Sequence, residues 1–118
     1  MSKFGDYIRE KREALQKESP GTYSLRKVAS AVGIEASYLS KIERGQQPPP
    51  GERSISALAE ILNEDPDMML ALAGKVSDEL QEIIRKRPKL FARLIRELRD
   101  MPDHAVLRLV REVRDGNW

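Results

Sequence analysis

Glycine and proline cut this chain into short pieces, and every piece carries apolar residues at helical spacing. Gly33, Gly45, the run Pro48-Pro49-Pro50, Pro66, Gly74, Pro88 and Pro102 are the main stops. Proline lacks a backbone N–H and clashes with the preceding turn, so it opens or ends a helix. Glycine takes the left-handed conformation cheaply and so closes one. Between the stops, apolar residues recur at i, i+3 and i+4 rather than in alternation, which predicts helices and no strand. The expected fold class is therefore all-α.

Eight helices are expected. The first runs from Phe4 to Lys17 on the stripe Phe4, Tyr7, Ile8, Ala14 and Leu15, and Glu18-Ser-Pro-Gly-Thr breaks it. Ser24 reads as the N-cap of a second, Leu25 to Val32, with Val28, Ala29 and Val32 inward and Gly33 as its stop. The third spans Ala36 to Arg44 with Leu39 and Ile42 inward. After the stiff proline connector come Arg53 to Leu62 and Pro66 to Ala73, the latter capped by Asp65 with proline at its first position. Three more follow, from Ser77 to Lys86, from Pro88 to Arg99, and from Pro102-Asp103 to Arg114. Gly74-Lys75-Val76 marks a boundary between residues 1–74 and a helical C-terminal region, 75–118.

Composition removes several function classes. The chain has no cysteine and one histidine, His104, which excludes disulfides and thiolate zinc sites. A lone histidine on a helix reads as a surface residue, and no metal site or cofactor is expected. It would also have to serve alone in any Ser–His mechanism, so an enzyme is not expected. Residues 1–50 carry nine basic against six acidic side chains, and 77–118 carry ten against eight. This mild surplus permits a nucleic-acid partner without demanding one. No apolar run reaches the length of a membrane span, and MSKFGDYIREK contains no signal-peptide core, so a cytoplasmic protein without a membrane partner is expected.

The most informative stretch is Ser24 to Gly45, SLRKVASAVGIEASYLSKIERG. It pairs two short helices across a glycine turn. Ala29 is small where the helices must cross, and Ile34, Leu39 and Ile42 anchor the second helix from behind. Ala36, Ser37, Ser40, Lys41 and Arg44 are left pointing outward, as insertion into a DNA major groove requires.

Over residues 4 to 74 the chain resembles the lambda-repressor/Cro-like (XRE) helix-turn-helix domain. The pieces that carry the resemblance occur in order: Ile8-Arg9 with Arg12; Val28-Ala29 and Gly33; Tyr38-Leu-Ser-Lys-Ile-Glu-Arg-Gly45; the proline connector; Ile55 with Leu58-Ala59 and Leu62; and Asp65-Pro-Asp-Met-Met-Leu. The resemblance implies a five-helix DNA-binding domain with double-stranded DNA as partner. It places Ala36, Ser37 and Lys41 where relatives read base edges. Glu35 either accepts from cytosine or merely favours the helix dipole. Ser24, the Leu25 N–H and Arg44 match phosphate-contacting positions, and Ser40 is grouped with them. Arg26 and Lys27 are either further phosphate contacts or plain solvated charge. Tyr38 either stacks on the sugar-phosphate wall, the favoured reading, or fills the groove between the second and third helices. Arg12 and Glu43 match an internal ion pair. Leu25 departs from the glutamine common in relatives. The turn from Lys17 to Tyr23 is longer than usual; it either lies beside the DNA backbone or, the favoured reading, is a loose loop.

Phe91, Leu94, Ile95, Leu98, Val106, Leu109, Val110 and Val113 form an apolar stripe too large for a forty-residue segment to bury alone. They either pair two copies as a homodimer or wrap the first domain. The leading expectation is a dimeric repressor on a pseudo-palindromic operator. A second is an antitoxin or immunity repressor whose C-terminal region binds a regulatory protein. A third is a helical interaction module that has lost DNA binding, against which Lys41 and Arg44 speak.

Overall fold

The computed structural model describes residues 3–116. Residues 1–2 and 117–118, the extremities of the two expected regions, lie outside the described residues. All regular structure among the described residues is helical, in the order α1 (Lys3–Glu18), α2 (Leu25–Val32), α3 (Ala36–Glu43), α4 (Glu52–Ile61), α5 (Pro66–Leu72), α6 (Asp78–Lys86), α7 (Pro88–Leu98) and α8 (Asp103–Asp115). The chain divides into two units, Met1–Ser77 and Asp78–Trp118.

Local chemistry sets the helix ends. The Ser24 hydroxyl accepts the Lys27 N–H at 3.2 Å and caps α2. Gly33, at φ 89°, closes it: its own N–H and that of Ile34 both donate to the Ala29 carbonyl, at 2.9 and 3.0 Å. Asp65 caps α5 by accepting from the Met68 N–H at 3.3 Å, with Pro66 at the first position. The end of α4 uses a device the sequence reading passed over. Asn63 takes the left-handed conformation at φ 59°, and the Glu64 N–H reaches the Ala59 carbonyl at 2.8 Å.

The first unit is built on a single core of Phe4, Ile8, Val28, Ala29, Leu39, Ile42, Ile55, Leu58, Ala59, Leu62, Met69 and Leu70. Leu15 and Val32, expected inside, are half-buried at its margin, and Ala14 is exposed. For Leu15 and Ala14, both on α1, the reason is the glycine at position 5. A Cβ there would collide with the Ile42 carbonyl oxygen and stand 2.9 Å from that of Glu43. The first turn of α1 therefore lies against the end of α3, so the core centres on Phe4 and Ile8 rather than further along α1. Two side chains tie α1 to the α4–α5 connection. The Tyr7 hydroxyl donates to Glu64 Oε1 at 2.9 Å, and Lys11 Nζ lies 3.4 Å from the same oxygen. The proline connector is held too, since Lys75 Nζ donates to the Pro50 carbonyl at 2.8 Å.

The second unit buries no side chain fully in α6, α7 or α8. Leu90, Leu94, Ile95, Leu107, Val110 and Val113 are all exposed. The apolar sides of α7 and α8 line an open groove of about 490 Å³, formed by Leu94, Leu98, Val106, Leu109, Val110 and Val113 with Arg114 at its edge. Phe91 lies with Leu90 and Ile83 in a smaller neighbouring depression, and Ile95 lines neither.

Candidate nucleic-acid interface

The α2–turn–α3 segment is set by what lies behind it. Leu39 and Ile42 are fully buried, and Ala29 is 1% exposed where α2 meets the rest of the core. A larger residue there would have to displace its packed neighbours.

The brace behind α3 is an ion pair. Arg12 on α1 grips Glu43 with two parallel bonds, Nε to Oε2 at 2.7 Å and an Nη to Oε1 at 2.9 Å. The side chains are 13% and 5% exposed, so the pair is largely desolvated. Its bidentate geometry is the strong form of this contact. The fork raises the Arg12 pKa above its ordinary value, chiefly through the hydrogen bond to Glu43 and against the opposing effect of burial. Glu43 is thus turned inward, and its carboxylate is removed from the surface that would face an anionic partner.

Arg12 also corrects the loose-loop expectation for Lys17 to Tyr23. Its other Nη donates to the Tyr23 carbonyl at 3.3 Å, while the Tyr23 N–H donates to Gln16 Oε1 at 2.7 Å. Within the turn, the Thr22 N–H donates to the Ser19 carbonyl at 3.1 Å. The segment leading into the Ser24 cap is therefore anchored at both groups of Tyr23. Gln16 was missed by sequence reasoning, because no spacing rule links a mid-helix glutamine to a backbone N–H beyond the turn.

On the outer side, Glu35, Ser37, Lys41 and Arg44 are exposed, as are Arg26 and Lys27 on α2. Glu35 is the N-cap of α3 but makes no side-chain cap bond, so its carboxylate is uncommitted. Arg44 Nε donates back to the Ser40 carbonyl at 3.3 Å, which leaves its terminal nitrogens outward. Ser24 spends a lone pair on its cap and keeps its hydroxyl proton to donate. Three residues are less open than expected. Ala36 and Ser40 are half-buried, and Tyr38 packs against the core rather than standing free, because it lies one position before Leu39 on a helix of only two turns. Leu25 likewise packs against the core margin, so α2 offers there only its backbone N–H.

The electrostatic result is four exposed cations on α2 and α3 against one exposed carboxylate, Glu35. Among the described residues no group of histidine and acidic side chains converges as a metal site would. No helix among them is long and apolar enough to cross a membrane. The eight hydrophobic residues expected to pair copies all lie in the second unit.

No curated protein and no solved structure matches the chain. A family model described as a helix-turn-helix domain matches residues 3–72, which takes in all of α2, Gly33 and α3 and more than half of the sequence. The chain belongs to the helix-turn-helix domain family.

Proposed function

We propose that this protein is a sequence-specific transcriptional regulator of the lambda-repressor/Cro-like kind, which inserts α3 into the major groove of duplex DNA and represses by occupying its operator. The observation that carries this is the contrast between the two sides of α3. One side is locked by Leu39, Ile42 and the Arg12–Glu43 fork, while Ser37, Lys41 and Arg44 stand exposed on the other. A rigid helix with free donors is what base reading requires. Lys41 donates to guanine O6 and N7, Ser37 and Ala36 contact neighbouring edges, and Glu35 accepts from a cytosine amine. Arg44, Ser24, Ser40, Arg26 and the Leu25 N–H hold phosphates.

The regulator works as a homodimer. Two copies supply the two reading helices that half-sites one DNA turn apart, ~34 Å, demand. The exposed apolar groove between α7 and α8 supports this, since such a surface does not stay in water by itself. The same groove supports a second reading, in which a regulatory protein covers it and the chain acts as an antitoxin or immunity repressor.

Selection from a random duplex pool, followed by binding measurements on the selected site, tests the reading. Lys41→Ala is expected to relax preference at one base position per half-site, at about 1–3 kcal/mol. Arg44→Ala is expected to weaken all sequences about equally, because phosphates carry no sequence information. Failure to enrich any sequence, or the two outcomes exchanged, sinks the assignment.

A further inference from the structure

The segment 19–24 joins α1 to α2 and includes Gly21 at φ 85°. A connection of this kind has many backbone conformations open to it. Tyr23 closes them off. Gln16 Oε1 accepts its N–H at 2.7 Å, and Arg12 donates to its carbonyl at 3.3 Å. The first bond ties the peptide plane before the Tyr23 Cα to α1. The second ties the plane after it to the guanidinium that also holds Glu43 on α3. Because each peptide is planar, fixing both planes fixes both torsions of Tyr23 and the direction in which the chain enters Ser24. Ser24 then stands at φ −64° and ψ 156°, its hydroxyl oxygen accepting the Lys27 N–H and its proton left to donate. Arg12 has a second task at Glu43. The half-buried Gln16 side chain makes no other hydrogen bond among the described residues.

We infer that Gln16 is a positioning residue for DNA binding: by holding the Tyr23 N–H, it presents the Ser24 hydroxyl, already ordered, to a backbone phosphate. The inference rests on the DNA-binding reading given above. Without the Gln16 acceptor the Tyr23 N–H turns to water and the plane before Tyr23 is released. The turn must then be ordered as DNA arrives, and that cost is subtracted from the affinity. An amide suits the place, because its neutral oxygen accepts the bond without setting a negative charge beside a phosphate. The positioned hydroxyl is itself uncharged. It therefore adds affinity without releasing a counterion, and its contact leaves the salt dependence alone. A phosphate contact also carries no base preference. These two properties separate the role of Gln16 from that of the cations on α2 and α3, and from that of Lys41.

The test uses the full chain and a duplex selected from a random pool, at a temperature where the variants are folded. Gln16→Met keeps an unbranched side chain of good helix propensity and removes the acceptor. It is expected to weaken binding about tenfold at every salt concentration, the worth of one hydrogen bond to a charged oxygen. The slope of log K against log salt and the preferred sequence stay as they were, whereas Arg44→Ala flattens that slope. The Tyr23 amide loses its protection against hydrogen exchange. In a Ser24→Ala chain, which already lacks the hydroxyl, Gln16→Met is expected to cost roughly threefold at most. Gln16→Ala takes its place should Gln16→Met not fold. A folded variant that binds as tightly as the unaltered chain overturns the inference, since a merely structural Gln16 lowers the unfolding midpoint and nothing more. So does an equal loss in both backgrounds, or a Tyr23 amide that stays protected. In each of these cases a Lys41→Ala chain with relaxed base preference leaves the α3 reading intact. A full chain that selects no duplex overturns both.

Discussion

Among the described residues of the first unit, Glu43 is the one buried acidic side chain, and the use made of it illustrates how few atoms define the interface. Its carboxylate meets two donors of Arg12, which in turn holds the Tyr23 carbonyl, so one guanidinium links α1, α3 and the turn before α2. Removing one partner of such a pair strands the other. Glu43→Ala is expected to cost about 3 kcal/mol, the lower end for a buried pair because Arg12 keeps some solvent. Denaturant unfolding checks this, and operator preference should change far less than the midpoint does. Tyr7 offers a pH-dependent counterpart. Its hydrogen bond to Glu64, then burial, then the charge of Glu64 raise the phenol pKa above its ordinary value. A raised folded-state value means the protonated phenol contributes stability fully below about pH 10, and that contribution is lost as pH climbs through the raised value. Tyr7→Phe is therefore expected to lower stability by about 1 kcal/mol at neutral pH. The gap between the two proteins should close in strongly alkaline solution. Thermal melts of both across pH 7 to about 12 read this directly, and a gap that widens above about pH 10 contradicts it.

Among the elements, the two glycines that matter most do so for different reasons. Gly33 has open space where a Cβ would go but sits at φ 89°. Gly33→Ala therefore pays only the left-handed penalty, about 1–2 kcal/mol, and Gly33→Asn should recover part of it. At Gly5 the obstacle is the backbone carbonyl of Ile42, which cannot move without dragging the end of α3. Gly5→Ala is expected to cost at least as much, about 1–3 kcal/mol. Moreover, it should lower DNA affinity in the folded population, because α3 is pushed from behind. Denaturant midpoints and operator binding of the two variants separate the mechanisms, and a Gly5→Ala protein with unaltered stability and binding refutes the close approach. α3 itself is short, so it depends on this bracing more than on its own helix propensity.

For the whole molecule, the two units differ in kind. Among the described residues, the first has a core of twelve buried apolar residues, while the second buries no side chain fully in its helices and leaves Leu90, Leu94, Ile95, Leu107, Val110 and Val113 exposed. The first is therefore expected to fold alone. A fragment of residues 1–77 should melt cooperatively as a monomer and bind the selected operator far more weakly than the full chain, since two linked half-site binders gain through effective concentration. In the full chain, Leu94→Lys places a charge in the α7–α8 groove and should give the same monomeric, weakly binding behaviour with the first unit intact. Sedimentation and binding isotherms check both. A full chain that sediments as a monomer at micromolar concentration removes the homodimer and leaves the groove to a partner protein.

Much of this architecture was readable in the chain because helix ends are local. Ser24, Gly33 and Asp65-Pro66 act within one turn of themselves, and the helices begin and end within a residue or two of where those signals place them. The helix-turn-helix was legible for the same reason, as two amphipathic segments around one glycine. Asn63 was a readable stop as well, since asparagine follows glycine in tolerating the left-handed conformation. What the linear pattern left open was every question of which helix meets which. Leu15 has the periodicity of a core residue yet lies at its margin, because the approach of α1 to α3 at Gly5 sets the centre of the core, and Val32 at the end of α2 is also marginal. Tyr38 and Ala36 flank Ser37 yet are half-buried against the core. Gln16 meets Tyr23 across a turn with no spacing to announce it, and the meeting of Arg12 with Glu43 across thirty-one residues was implied by the family resemblance and not by the periodicity. Hydrophobic periodicity states that a face will be buried, whereas the depth of burial and the partners of a polar side chain depend on distances between helices, which only the packed structure sets.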